Sequence, residues 1–136
     1  MPYSRLFYHF VWATRERLPL ITSDNREDIY RVVQAKAQEF RAIVHALNAM
    51  DDHIHLVATV PPSVALSAFI GQIKGSASHL ASRLRNAEPF AWQAEYGVLT
   101  ISERHLPIVV GYVANQQQHH ATNTLNQHLE MWNNIN

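Results

Sequence analysis

The chain has 136 residues, 47% hydrophobic and 16% charged, which is the composition of one folded domain with a packed core. Its 11 Lys and Arg balance 11 Asp and Glu, so a long-range positive field is excluded and any contact with nucleic acid must be local. The absence of Cys excludes disulfides, thiolate metal sites and cysteine nucleophiles. No apolar run reaches the roughly 18 residues of a membrane span, and we expect a cytoplasmic protein without a membrane partner.

The first half of the chain predicts a strand, a helix and a hairpin. Residues 6–13 are aromatic and apolar, as in a strand. Apolar residues then recur at helical spacing over 29–40, and Ser23 is the expected cap before that helix. The apolar stretches 42–50 and 53–60 are separated by two aspartates, which predicts an antiparallel hairpin.

The second half predicts a long helix, a strand and a final helix. The apolar spacing over 66–84 indicates an amphipathic helix, residues 92–101 indicate a strand, and Pro107 places a helix start near Leu106. The order is that of an α+β fold, the ferredoxin-like β-α-β-β-α-β sandwich with an added C-terminal helix. We expect the helices to cover one face of the sheet, within a single domain of residues 1–136 whose last part, 121–136, is a short tail.

The histidines at 53 and 55 are the strongest local signal for chemistry. Side chains at positions i and i+2 of a strand point to the same side, so His53 and His55 could present two imidazoles to one metal ion. The alternative is a pair of polar residues on the solvent-facing side of a surface strand, since this spacing alone is a weak indication of metal binding.

Tyr112 is a candidate nucleophile in the last helix. Gln116 follows one helical turn later and lies on the same face. A phenol has an ordinary pKa of about 10, so attack at neutral pH needs a base or a metal ion that activates the target phosphate. The alternatives are a tyrosine that packs its ring in the core and a glutamine on a solvated face.

Three cations are candidates for phosphate contacts. Lys74 lies in the long helix beside Gly75, and Arg15 and Arg17 follow the first strand. Each could meet a DNA phosphate as a positive charge, and each could equally be a solubilising surface residue.

Together, these motifs resemble a known family, the single-tyrosine HUH transposases of bacterial insertion sequences and their REP-associated relatives. The resemblance runs from about residue 8 to about residue 120. Besides the two histidines it rests on four segments, in the family's order: 8–19 (YHFVWATRERLP), 73–78 (IKGSAS), 90–97 (FAWQAEYG) and 112–116 (YVANQ).

The resemblance implies a ferredoxin-like homodimer that cuts and rejoins single-stranded DNA at hairpin-containing ends, without a nucleotide cofactor. It implies that Tyr112 forms a covalent 5′-phosphotyrosine link and that His53, His55 and Gln116 hold Mg²⁺ or Mn²⁺. It also implies that one subunit can supply its tyrosine helix to the metal site of its partner.

Two other interpretations remain open from the sequence. The neutral charge, and the absence of Lys and Arg after Gln116, suit a domesticated or inactive protein that binds single strands or hairpins without cutting them. A metal-dependent phosphoesterase could use the His pair without Tyr112.

Overall fold

A four-stranded antiparallel sheet is the centre of the computed structural model, which describes residues 3–84 and 89–115. The strands are β1 (Phe7–Ala13), β2 (Ile43–Ala49), β3 (His53–Thr59) and β4 (Gly97–Ile101), and the helices are α1 (Arg26–Glu39), α2 (Leu66–Leu84) and α3 (Leu106–Ala114). The strands lie in the order β2-β3-β1-β4. The element order and the strand order confirm the predicted α+β, ferredoxin-like class.

The main core lies between one face of the sheet and the pair α1 and α2. Because side chains alternate along a strand, Phe10 and Trp12 of β1 share this face with Ile54 and Leu56 of β3, and all four are fully buried. Phe10 meets Phe69 of α2 with ring centroids 5.5 Å apart. This layer forms the larger of the two hydrophobic clusters.

The last helix packs on the opposite face, and the prediction that the helices cover a single face is wrong for α3. Val109 and Val113 of α3 are buried against Phe7 and Val57, whose side chains alternate with the main-core residues of β1 and β3. The physical reason is that four of the seven residues of β3 are apolar and six are buried, so both faces of the strand need a cover. Helical periodicity identifies an apolar stripe but not the sheet face that it will meet.

Two predicted boundaries also differ from the structure. The last strand begins at Gly97 rather than near 92, and Trp92 makes only an isolated bridge to Thr14. The residue that caps α1 is Asn25 rather than Ser23. The Asn25 side chain accepts a hydrogen bond from the Thr22 N–H, so this cap is defined by the preceding loop, which the helical pattern does not report.

Among the described residues, none of the helices is long and apolar enough to cross a membrane. The predicted tail, 121–136, lies outside the described residues.

Candidate active site

His53 and His55 project from β3 onto the face that α3 covers. Both are buried, with 1% and 0% of their surfaces exposed, so neither is a solvated polar residue of an open face. Their ring centroids are 5.1 Å apart and their planes are steeply inclined, at 74°. The structure therefore brings the two imidazoles together, as the spacing predicts, but in a covered position.

The aspartate before His53 fixes its ring. His53 Nδ1 lies 2.7 Å from Asp52 Oδ1. Burial by itself would raise the pKa of the Asp52 carboxyl, but the hydrogen bond and charge of His53, with a smaller contribution from Arg17, hold that pKa below its usual value. A carboxylate behind one ring nitrogen is the usual support of a metal-binding histidine, because it leaves the other nitrogen as the ligand.

A third histidine, His9 on β1, supports His55. His9 Nε2 lies 2.8 Å from His55 Nδ1, and both side chains are fully buried. The two rings are stacked, with centroids 5.0 Å apart and planes 23° apart. The outer partner of each candidate ligand is therefore different, a carboxylate for His53 and an imidazole for His55.

Tyr112 lies on α3, over the sheet face that carries these histidines. It is 9% exposed, and the neighbouring Val113 packs on that face. The Asn48 side chain donates to the carbonyl of Val113 at 2.9 Å and to that of Ala114 at 3.4 Å. Asn48 is the strand partner of His55. The end of the tyrosine helix is thus anchored beside the strand position of His55.

A tyrosine of α1 completes this anchor. The Tyr30 hydroxyl donates to Asn48 Oδ1 at 3.3 Å and accepts from the Ala49 N–H at 2.9 Å. The resulting chain of hydrogen bonds joins α1, β2 and α3.

The candidate arginines lie in a 3₁₀ turn, Arg15–Arg17, directly after β1. Glu16 and Arg17 have φ of 53° and 55°, in the left-handed region that costs a non-glycine residue about 1–3 kcal/mol. Thr14 holds the turn, since its N–H donates to the Asp52 carbonyl at 2.8 Å and its hydroxyl donates to the Leu18 carbonyl at 2.6 Å. Arg15 is exposed, whereas Arg17 is half-buried and its charge acts on Asp52.

The Lys74 side chain forms hydrogen bonds within the fold. Its ammonium donates to the carbonyls of Gln93, Ala94 and Glu95 at 2.8, 3.3 and 3.2 Å, and the Trp92 indole donates to the Lys74 carbonyl at 2.8 Å. Burial lowers the pKa of Lys74, an effect that the charge of Glu95 partly opposes. A phosphate contact by Lys74 stays a prediction, and it would compete with these carbonyls.

The described side chains supply only some of the ligands that a metal ion needs. Over residues 3–84 and 89–115, no group of three or more His, Asp or Glu side chains could hold a metal ion. Two supported imidazoles fit an incomplete site that takes its remaining ligands elsewhere, from an amide, water or a phosphate. The predicted third ligand, Gln116, lies outside the described residues.

Comparison with protein families identifies the family to which this chain belongs. The model of the family described as "Transposase IS200 like" matches residues 2–116, and the chain belongs to this family of transposases. It is 24% identical to the ISDra2 transposase TnpA of Deinococcus radiodurans over 121 residues, which are 82% of this chain and 84% of that protein. It is 25% identical over 71 residues, 52% of this chain and 47% of the relative, to the transposase for insertion sequence element IS200 of Salmonella typhimurium.

A solved structure shares the fold. The REP-associated tyrosine transposase bound to a REP hairpin superposes with a TM-score of 0.69 at 16% identity, over 88% of this chain and 74% of that one. At this identity the likeness shows the fold alone.

Three residues of the site, His9, Asn48 and Tyr30, are not predicted from the sequence. The alternation of β1 places His9 on the same side as Phe7 and Val11, but only the pairing of β1 with β3 brings it to His55. Asn48 and Tyr30 carry no local signal, because their role depends on where the end of α3 lies.

Proposed function

We propose that this chain cleaves and rejoins single-stranded DNA at hairpin-containing ends, with Tyr112 as the covalent nucleophile and His53, His55 and Gln116 as ligands of Mg²⁺ or Mn²⁺. The observation that carries the proposal is the shared sheet face, which bears the two supported imidazoles and is packed against the helix of Tyr112. The hairpin bound to the REP-associated relative supports hairpin ends as the substrate.

The covalent step is a transfer of a phosphodiester. The Tyr112 oxygen forms a bond to the phosphorus, the bond from phosphorus to the 3′-oxygen breaks, and the proton that the phenol loses is balanced by the proton that the 3′-hydroxyl gains. The product retains one phosphodiester bond, so rejoining to another 3′-hydroxyl needs no nucleotide cofactor. A bound divalent ion would supply charge neutralisation at the phosphate.

The protein's own residues prepare this step in two ways. Asp52 and His9 hold the two imidazoles in fixed orientations, and the Tyr30 and Asn48 side chains hold the end of α3. Fixed geometry of this kind lowers the barrier by removing the entropy of alignment. Arg15 and Arg17 remain our candidates for contacts with the DNA backbone, on the side of the site next to Asp52.

The test uses single-stranded oligonucleotides from the genomic flanks, incubated with Mn²⁺ or EDTA and separated on a denaturing gel. We expect a protein–DNA adduct only with Mn²⁺, carrying DNA on a peptide that contains Tyr112. Tyr112→Phe and His53→Ala should each abolish it. The matched controls are Tyr8→Phe, on the main-core side of the sheet, and His79→Ala, on the exposed face of α2, which should retain it.

Other outcomes would replace the proposal. Binding of hairpins without an adduct would indicate a binding protein that has lost cleavage. Metal-dependent hydrolysis of small phosphoesters that survives Tyr112→Phe would indicate a phosphoesterase.

The homodimer and the exchange of tyrosine helices are part of the same proposal. In the structure, α3 lies on the sheet of its own chain. Mixing a Tyr112→Phe subunit with a His53→Ala subunit tests the exchange, because only a helix supplied to the partner can restore one complete site in the mixed dimer.

A further inference from the structure

A pair of buried histidines joins β1 to the candidate metal site. His9 and His55 are both fully buried and their ring nitrogens are 2.8 Å apart, a hydrogen-bond distance. They are diagonal neighbours in the sheet, since His9 is the strand partner of Val57 and His55 is the partner of Val11. In the proposed function His9 holds the His55 ring in place, but which of the two nitrogens carries the shared proton is not yet assigned.

The contact between two neutral imidazoles requires one proton between the two nitrogens, because each neutral ring has one N–H donor and one acceptor nitrogen. Two arrangements satisfy it. In one, His55 Nδ1–H donates to His9 Nε2, which leaves His55 Nε2 as an acceptor nitrogen. In the other, His9 Nε2–H donates to His55 Nδ1, and His55 then carries its proton on Nε2.

Only the first arrangement lets His55 bind a cation through Nε2. We propose that His9 is a positioning residue that accepts the His55 Nδ1–H, and so sets the tautomer and the ring orientation in which His55 serves as a metal ligand. This inference rests on the proposed function, in which His55 is such a ligand.

The support of His53 shows the same geometry with a different partner. Its Nδ1 atom is held by Asp52 Oδ1 at 2.7 Å, and the corresponding Nδ1 atom of His55 is held by His9. A carboxylate can only accept when ionised, whereas an imidazole can accept or donate. The tautomer of His55 therefore depends on the tautomer of His9. The support of His55 by His9 is for this reason more easily disturbed by a substitution than the support of His53 by Asp52.

His9 is a poor candidate for a further metal ligand. Its Nε2 atom is engaged with His55, and among residues 3–84 and 89–115 no group of three or more His, Asp or Glu side chains could hold an ion. The role that fits the geometry is that of an outer partner, and loss of such a partner typically weakens metal binding by about 10–100-fold.

The decisive comparison is His9→Leu against His9→Gln in the full-length chain. Leu removes the acceptor while keeping an apolar side chain in the core, and Gln offers an amide oxygen near the position of Nε2. Calorimetric titration with Mn²⁺ should give a Kd that is about 10–100-fold weaker in His9→Leu and within about threefold of the wild type in His9→Gln. His79→Ala, on the exposed face of α2, should bind Mn²⁺ as the wild type does.

Nitrogen NMR of histidine-labelled wild-type protein gives an independent readout. With Mg²⁺ present, we expect the His55 ring to be protonated on Nδ1 and not on Nε2. A proton on Nε2 would overturn the inference, and so would wild-type Mn²⁺ affinity in a folded His9→Leu variant. The wild-type spectrum decides the question even where His9→Leu does not fold.

A His55→Ala variant separates this inference from the proposed site. If His55→Ala abolishes Mn²⁺ binding while His9→Leu has no effect, the role of His9 is wrong and the metal site stands. If His55→Ala leaves Mn²⁺ affinity unchanged, both are wrong.

Discussion

The ammonium group of Lys74 is expected to stabilise the loop that leads into β4. Replacement by Met keeps most of the aliphatic stem and removes the donations to the three carbonyls of residues 93–95, at 2.8–3.3 Å. Hydrogen bonds that involve a charged group contribute about 1.5–3 kcal/mol in proteins, and two of the three distances are long. We therefore expect Lys74→Met to lower the free energy of unfolding by about 2 kcal/mol, equivalent to roughly 6 °C in Tm.

The control is the other lysine of the chain. Lys36 pairs with Glu39 on the surface of α1 at 3.3 Å, and a surface ion pair of this kind contributes about 0–1 kcal/mol. Urea denaturation of Lys74→Met and Lys36→Met gives the two free energies directly. Hydrogen exchange should locate the loss of protection in the Lys74 variant at residues 93–96.

The same variant tests the predicted phosphate contact. If Lys74 neutralised one DNA phosphate, Lys74→Met would reduce the salt dependence of single-strand binding by about 0.7 in the logarithmic slope. We expect the slope to be unchanged, because the ammonium already has three acceptors. Wild-type stability together with a reduced slope would refute this reasoning and restore Lys74 as a DNA contact.

Two further predictions concern the helix anchor and the edge strand. Asn48→Ala should lower the free energy of unfolding by about 1–2 kcal/mol and speed amide exchange in the last turn of α3, because the carbonyls of Val113 and Ala114 lose their donor; unchanged exchange there would contradict it. Burial lowers the pKa of His45 from 6.5, so the folded chain favours the neutral imidazole. The free energy of unfolding should therefore be highest above about pH 6.5, and it should fall as the pH drops from there through the lower pKa of the folded chain. Urea denaturation from pH 5 to 8 should show a smaller acidic decrease in His45→Gln, and an identical decrease would exclude His45 as the cause.

Much of the candidate site follows from local periodicity. A period of two places His53 and His55 on one side of a strand, and the apolar run with Pro107 places Tyr112 on a helix. These inferences need only the geometry of a single element. They do not identify which sheet face the tyrosine helix will cover, and for α3 the expected face is wrong.

The parts that could not be predicted depend on pairing between distant segments. A shift of one residue in the register of β1 against β3 would turn His9 away from His55, and the sequence of β1 alone does not specify that register. The partners of Lys74 are backbone carbonyls, which every residue carries, so no residue type marks them. Asn48 likewise contacts main-chain atoms of α3.

The sheet is buried on both faces, and this burial explains why the histidines of the candidate site have partners. Imidazoles away from water need partners for their ring nitrogens, and Asp52 and His9 provide partners that also fix the orientation of the rings. The face on which this happens is packed against α3, the helix that carries Tyr112. Displacement of α3 would therefore move the candidate nucleophile and expose the supported histidines together, so the Asn48 anchor should affect metal binding as well as the position of Tyr112.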